Sequence, residues 1–323
     1  MRTYTIHGLT LVSEYELDAV VLDPADGPAA PDYELRAGPP RPCVGRPDEP
    51  GEIIAELELG ATAEWLLERE DGSWLLRYER TADFEIDRRA GRIVAHPAPG
   101  IPDGLVPILA GGGVLAHLIS GRDRLVLHAS AVEIGGRAVG IVGSSGAGKS
   151  VTATHLCLAG APLLTDDTLV VHFSDDRNAG PPRVHPGSRS IRLHPVACSR
   201  FEGIEPLLEP QLTADDRLLV RPKTVEEPEL ELAMVVAIEF AEGAKAIETS
   251  RLTGTDATLT LLANPRATAW CDPDRLRAQF SLAARLATEI PVLQWTLPDR
   301  PASEPLGPEL LRILRSQVAS SSQ

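Results

Sequence analysis

The sequence predicts an α/β domain preceded by a small, mainly antiparallel β domain. Three observations support this. An apolar run enters Gly143-Ser144-Ser145-Gly146-Ala147-Gly148-Lys149-Ser150 and is followed by a helix-compatible stretch. The first hundred residues break into short extended runs punctuated by turn residues. Between these regions, His96-Pro97-Ala98-Pro99-Gly100-Ile101-Pro102 interrupts regular structure and sets a boundary near residue 100. Domains 1–100 and 101–323 follow, and a length of 323 residues suits one large domain with a smaller companion.

In the first domain, strands are expected at residues 4–7, 52–59, 64–68, 73–78, 82–87 and 91–95. Asp71-Gly72 suits a hairpin turn, and Arg88-Arg89-Ala90 joins the last two strands. Residues 24–50, rich in Pro, Gly and Asp, read as a long surface connection. In the second domain the apolar stretch 105–119 contains Gly111-Gly112-Gly113, which argues against a single helix. Residues 124–134 and 137–143 read as two strands joined at Gly135-Gly136, with a helix at 149–158 after the glycine-rich loop. A strand at 162–173 is interrupted by Asp166-Asp167. Later strands are expected at 232–240, 246–253 and 291–297, and helices at 256–263, 273–289 and 306–318.

Composition narrows the function classes. A hydrophobic content of 43% supplies an ordinary globular core, and a formal charge of −15 disfavours nucleic acid or an anionic membrane as a general partner. The opening MRTYTIHGLTLVSEYEL has no long apolar stretch, and no apolar run reaches the length of a membrane span, so a cytoplasmic location is expected. Cys43, Cys157, Cys198 and Cys271 are widely separated and form no close metal-binding pair. The only lysines are Lys149, Lys223 and Lys245.

Residues 143–150 satisfy the G-x-x-x-x-G-K-S pattern. Glycines permit the tight turn, backbone amides surround phosphate oxygens, Lys149 reaches the outer phosphates and the Ser150 hydroxyl suits Mg2+. The loop alone does not separate ATPases, GTPases and kinases. Asp166 and Asp167 narrow the choice, because one carboxylate can hold Mg2+ while the other engages an acceptor hydroxyl. Adjacent strand residues point oppositely, so that division requires the strand to end or bend at the pair. His128 can donate to phosphate or position Asp166, and is equally compatible with a core histidine.

The stretch LHASAVEIGGRAVGIVGSSGAGKSVTATHLCLAGAPLLTDDTLVV combines His-Ala-Ser, the phosphate loop and Asp-Asp in order. It resembles the catalytic segment of the HPr kinase/phosphorylase-related superfamily. That resemblance implies a P-loop kinase domain with a mixed sheet that uses ATP and Mg2+. It implies that Gly143, Ser144, Ser145, Gly146, Ala147, Gly148 and Lys149 cradle phosphates, and that Ser150 and Asp167 hold Mg2+. It makes His128 an active-site histidine and Asp166 the base for the acceptor hydroxyl. Arg192, in Ser190-Ile191-Arg192-Leu193, is implied to organise phosphates, and Lys223 is carried as a phosphate-side candidate or a surface cation.

The Gly-Arg-Asn-rich downstream signature of the bifunctional enzymes is not found, so HPr phosphorylation and phosphorolysis are not inherited. The opening Tyr4-Thr5-Ile6-His7-Gly8-Leu9-Thr10-Leu11 is similar to kinases of ribosomal-peptide biosynthesis, including lasso-peptide tailoring kinases. This implies transfer to the C-terminal serine of a precursor peptide. Exposed strand edges of the β domain are able to pair with an extended peptide, and a homo-oligomer is left open, since the organisation of the wider family is not carried over. A kinase of a free amino acid or another small hydroxyl compound, and a nucleotide-responsive binding protein, remain the other readings.

Overall fold

A computed structural model describes residues 1–23, 30–59, 62–120, 124–173, 180–267, 269–299 and 304–320. The chain forms two compact units, Met1–Gly121 with Ala267–Ala278, and Arg122–Arg266 with Gln279–Gln323.

The first unit is built on one sheet. Its strands are β1 (Arg2–Ile6), β2 (Leu9–Ser13), β3 (Val20–Val21), β4 (Tyr33–Ala37), β5 (Glu52–Leu59), β6 (Thr62–Glu68), β7 (Trp74–Tyr78), β8 (Ala82–Asp87) and β9 (Arg92–Pro97), in the order β3-β1-β2-β4-β9-β8-β7-β6-β5. The pairings are antiparallel except at β4, which runs parallel to both β2 and β9. The region 24–50 therefore does more than connect. Its residues 24–29 lie outside the described residues, but Tyr33 and Leu35 alternate into the core from a strand at the centre of the sheet. Two apolar residues two apart suffice there, because β2 and β9 satisfy the backbone on both sides.

The division between units falls at residue 121 rather than 100. Residues 105–120 are helical and belong to the first unit: α1 (Leu105–Leu109), a π-helical turn at Ala110–Val114, and α2 (Leu115–Ser120). The glycine triplet widens the helix by a π turn instead of ending it. Gly113 lies against the Tyr78 hydroxyl, leaving no room for a side chain. The chain also returns to this unit near residue 270, where Cys271 N donates to Ile54 O at 2.8 Å and Trp270 bridges to Ala55. The guanidinium of Arg275 sits 4.5 Å from the Trp270 ring centre, within cation–π range. No sequence signal announced this return.

The second unit carries a mixed sheet with helices on both faces. Its elements are β10 (Leu125–Leu127), β11 (Ala129–Ile134), β12 (Arg137–Val142), α3 (Lys149–Leu158), β13 (Leu163–Thr165), β14 (Leu169–His172), β15 (Arg183–Val184), β16 (Ile191–Leu193) and α4 (Pro195–Cys198). These are followed by β17 (Leu208–Leu212), β18 (Leu218–Val220), β19 (Leu230–Ala241), β20 (Glu248–Leu252), α5 (Gly254–Leu262), α6 (Pro273–Glu289, of which residues from Gln279 on belong to this unit), β21 (Val292–Pro298) and α7 (Gly307–Ser320). Strand β19 runs parallel to β12 and β21, while β11 is antiparallel to β12.

Alternation along the strands divides the core. Val139 and Ile141 face a cluster containing Ala153 and Leu156 of α3 with Leu310 and Leu314 of α7. Ala138 and Val142 face the opposite cluster, with Ala257 and Leu261 of α5 and Leu286 of α6. The expected single strand at 124–134 is split at His128, because β10 pairs with β14 whereas β11 pairs with β12 and β13. A separate small sheet, β16-β18-β17, packs over the α3 side through Ile191, Leu193 and Val220. No helix among the described residues is long and apolar enough to cross a membrane.

Candidate active site

The strand β12, buried on both faces, delivers the glycine-rich loop, and α3 begins at Lys149 immediately after it. Gly148 has φ 88°, a left-handed conformation that a side chain resists, and a Cβ there would lie 2.7 Å from Phe240 Cε2. The Lys149 ammonium donates to Gly143 O at 2.9 Å and Ser144 O at 3.2 Å. Burial lowers its pKa, with Asp167 and Asp166 pulling the other way.

The acids sit where the strand ends. Strand β13 stops at Thr165, and Asp167 takes φ 70°, so the two carboxylates leave a bend and not a regular strand. The bend meets the condition that the sequence imposed on a division of labour between adjacent acids.

Their partners differ from those expected. Ser150 Oγ donates to Asp166, 2.9 Å from Oδ1 and 3.2 Å from Oδ2, whereas Asp167 was the acid expected beside Ser150. Ser130 Oγ donates to the same Oδ1 at 2.6 Å, and Arg192 N lies 3.4 Å from Oδ2. Asp166 is only 6% exposed, its backbone is held by exchange of bonds with Ser188 Oγ, and its pKa is raised, chiefly by burial. The positive φ turns Asp167 to a different set of groups. Arg266 donates to its Oδ2 through Nε at 3.1 Å and Nη2 at 2.9 Å, Arg192 Nη2 is 3.6 Å from the same oxygen, and His128 Nε2 is 3.4 Å from Oδ1. Burial works to raise the pKa of Asp167, but Arg266, Arg192 and His128 together hold it below the usual carboxylate value.

His128 occupies the break between β10 and β11, where its side chain is free to face the acids. Burial first, then the nearby Lys149 charge, pushes its pKa down to about 4, so the ring is neutral at pH 7. Arg192, on β16, is shared between Asp167 and Asp215, with Nη1 3.1 Å from Asp215 Oδ2.

These groups line a cavity of about 480 Å3, which includes Ser145, Gly146, Gly148, Lys149, Ser150, His128, both acids and Arg192. That volume is within the range of small-molecule sites. Gly143, Ser144 and Ala147 lie behind this lining: the carbonyls of Gly143 and Ser144 receive Lys149, and Ala147 N donates to Ser144 O. Lys223 is exposed and does not line the cavity. Its carbonyl accepts from Leu163 N at 2.8 Å, which makes its contribution one of backbone pairing between β13 and the loop before β19. The structure adds residues that sequence reasoning passed over. Ser130 lies inside the quoted His-Ala-Ser and was legible there. Ser188, Asn264, Arg266 and Asp215 carried no local signal.

Ser150 Oγ and the buried Asp166 carboxylate are hard oxygen donors of the kind Mg2+ favours. Among the described residues no group of three or more His, Cys, Asp and Glu side chains is arranged to hold a metal ion.

No protein-family model matches the chain. No curated protein matches it. Among solved structures, the HPr(Ser) kinase/phosphatase from Coxiella burnetii is similar to 61% of this chain and 99% of its own, at 14% identity and a TM-score of 0.31. The similarity is distant.

Proposed function

We propose that the chain is an ATP- and Mg2+-dependent kinase that transfers the γ-phosphoryl group to a serine hydroxyl of a ribosomal precursor peptide, its C-terminal serine in the sharpest form. The supporting observation is the convergence of Lys149, Ser150, Asp166, Asp167, His128 and Arg192 on one cavity at the end of a phosphate loop. In this reading the loop amides and Lys149 hold the triphosphate. Asp166 receives the proton of the attacking hydroxyl, and burial raises its affinity for that proton. Neutral His128 and the cation Arg192 flank Asp167, and Arg192 offsets charge as the phosphoryl group moves. No covalent intermediate is required, since positioning and electrostatics carry phosphoryl transfer.

Mg2+, when bound, would neutralise phosphate charge. Ser150 with the acid pair would hold it, and Asp167 remains the cation-side acid in this reading. That role requires Asp167 to be shared with Arg266 and Arg192, so Asp167→Asn is expected to raise the Mg2+ concentration needed for transfer. Asp166→Asn is expected to lower transfer to a similar degree at every Mg2+ concentration. The reverse pattern would exchange the two roles.

The test incubates the protein with ATP, Mg2+ and a precursor peptide ending in serine, with localisation of phosphate by fragment mass spectrometry. One phosphoryl group on the terminal serine, lost in Asp166→Asn, supports the whole reading. Phosphorylation of free serine in place of the peptide would make the chain a small-molecule kinase. Tight ATP binding without transfer to either would make it a nucleotide-responsive binding protein.

A further inference from the structure

Asn264 lies just beyond α5, far in sequence from the phosphate loop, yet it is 8% exposed and every polar group it carries has a partner. Its Oδ1 accepts from Gly143 N at 3.0 Å, and its Nδ2 donates to Thr260 O at 2.8 Å. Its backbone carbonyl accepts from His128 N at 2.8 Å, and its own N donates to Leu261 O at 3.1 Å. The next two residues continue the attachment: Pro265 bridges to Leu127, and Arg266 N donates to Val126 O at 3.0 Å. The Arg266 side chain then reaches Asp167.

We infer that Asn264 is a positioning residue that fixes the origin of the phosphate loop relative to His128 and Asp167. The side-chain amide ties Gly143, where β12 gives way to the loop, to the end of α5. The amide cannot rotate without breaking a bond at one of its two ends, because Oδ1 and Nδ2 have partners of opposite polarity. Gly143 therefore starts the loop from a point set by α5, and the same backbone segment sets His128 and Arg266. Loss of the side chain leaves the buried Gly143 N–H without an acceptor and frees the first residue of the loop, while the backbone bonds to His128 and Val126 stay. The inference rests on the nucleotide-site reading, although not on the identity of the acceptor.

The test compares the full-length wild type and Asn264→Ala for Mg2+-ATP binding by calorimetry, at a temperature where both are fully folded. Hydrogen exchange of the peptide spanning Gly143 is followed in parallel. The expected result is at least a tenfold weaker Kd, about 1.4 kcal/mol, together with faster exchange confined to the loop peptide. A merely structural role would lower the melting temperature and leave Kd unmoved, which would overturn the inference. Faster exchange throughout the second unit would do the same, by showing that the residue holds the fold and not the loop. A wild type that fails to bind ATP would overturn the nucleotide reading and this inference with it. Equal Kd values for wild type and variant would overturn this inference alone.

Discussion

Replacing Asp166 by Asn should make the ligand-free protein more stable while removing transfer. The Asp166 carboxylate is 6% exposed, and burial is the largest influence on it, raising its pKa against the donations from Ser130 and Ser150. A group whose pKa is raised on folding stabilises the native state fully at pH values below the unfolded pKa. That stability is lost as pH rises through the folded pKa. At pH 7 the ionised form therefore costs native stability, and a neutral amide of the same shape removes the cost. Ser130 and Ser150 hydroxyls can each turn to accept as well as donate, so the amide Nδ2 need not be left unpaired. The expected gain is about 1 kcal/mol, the ordinary scale of a single stabilising change at a strained functional position. For a chain of this size that is about 2 °C in melting temperature. Transfer should fall by about 100- to 10,000-fold, the contribution of a positioned base. Differential scanning calorimetry without nucleotide, followed by single-turnover transfer, reads both quantities. A variant less stable than wild type would refute the claim that burial dominates at Asp166. Undiminished transfer would refute its role as base.

Other substitutions address the same site from different sides. Lys149→Met removes the ammonium held by Gly143 and Ser144, and is expected to weaken ATP binding about 10- to 100-fold, the loss of a charge-assisted hydrogen bond; isothermal titration measures it. Gly148→Ala must place a side chain at φ 88° and against Phe240, for a destabilisation of about 1–2 kcal/mol from the backbone and about 1–3 kcal/mol from displacing the ring. Urea unfolding should show a lower midpoint with an unchanged slope. Stability should also fall in mild acid, because burial, aided by Arg200, pushes the His155 pKa down to about 4. A depressed histidine costs nothing above the ordinary value of 6.5, and its penalty grows as pH falls from there toward 4, reaching at most about 3 kcal/mol. His128 adds to the same slope in the same window. His155→Gln should flatten the slope in unfolding experiments from pH 7 to pH 4, and an unaltered slope would place the acid sensitivity elsewhere.

What was legible in the sequence depended on how local its cause was. The loop, the helix after it and the hairpins of the first unit are set by residues a few positions apart, through glycine turns and apolar periodicity. They stand where the sequence put them, α3 at Lys149–Leu158 and β8 at Ala82–Asp87 among them. Strand β4 was hidden because its neighbourhood is dominated by Pro and Gly, and its support comes from β2 and β9 at remote positions. The helix at 105–120 was obscured for a related reason. Three glycines weaken a helix taken alone, but Gly113 is needed where the helix meets Tyr78, so tertiary packing uses the residue that local propensity penalises.

At the site, most of the residues that meet at the cavity were legible and their pairing was not. Adjacent acids carry no sequence signal for which one meets Ser150. That choice is made by a single backbone dihedral at Asp167 and by Arg266, 99 positions away, which draws the second carboxylate from the loop. Arg266 N and Asn264 O pair with the backbone of β10 and His128, which helps to place Arg266 beside Asp167. The different pairing of the two acids is therefore a property of the segment after α5 as much as of the acids themselves. A change there should alter the site without touching any residue of the phosphate-loop pattern.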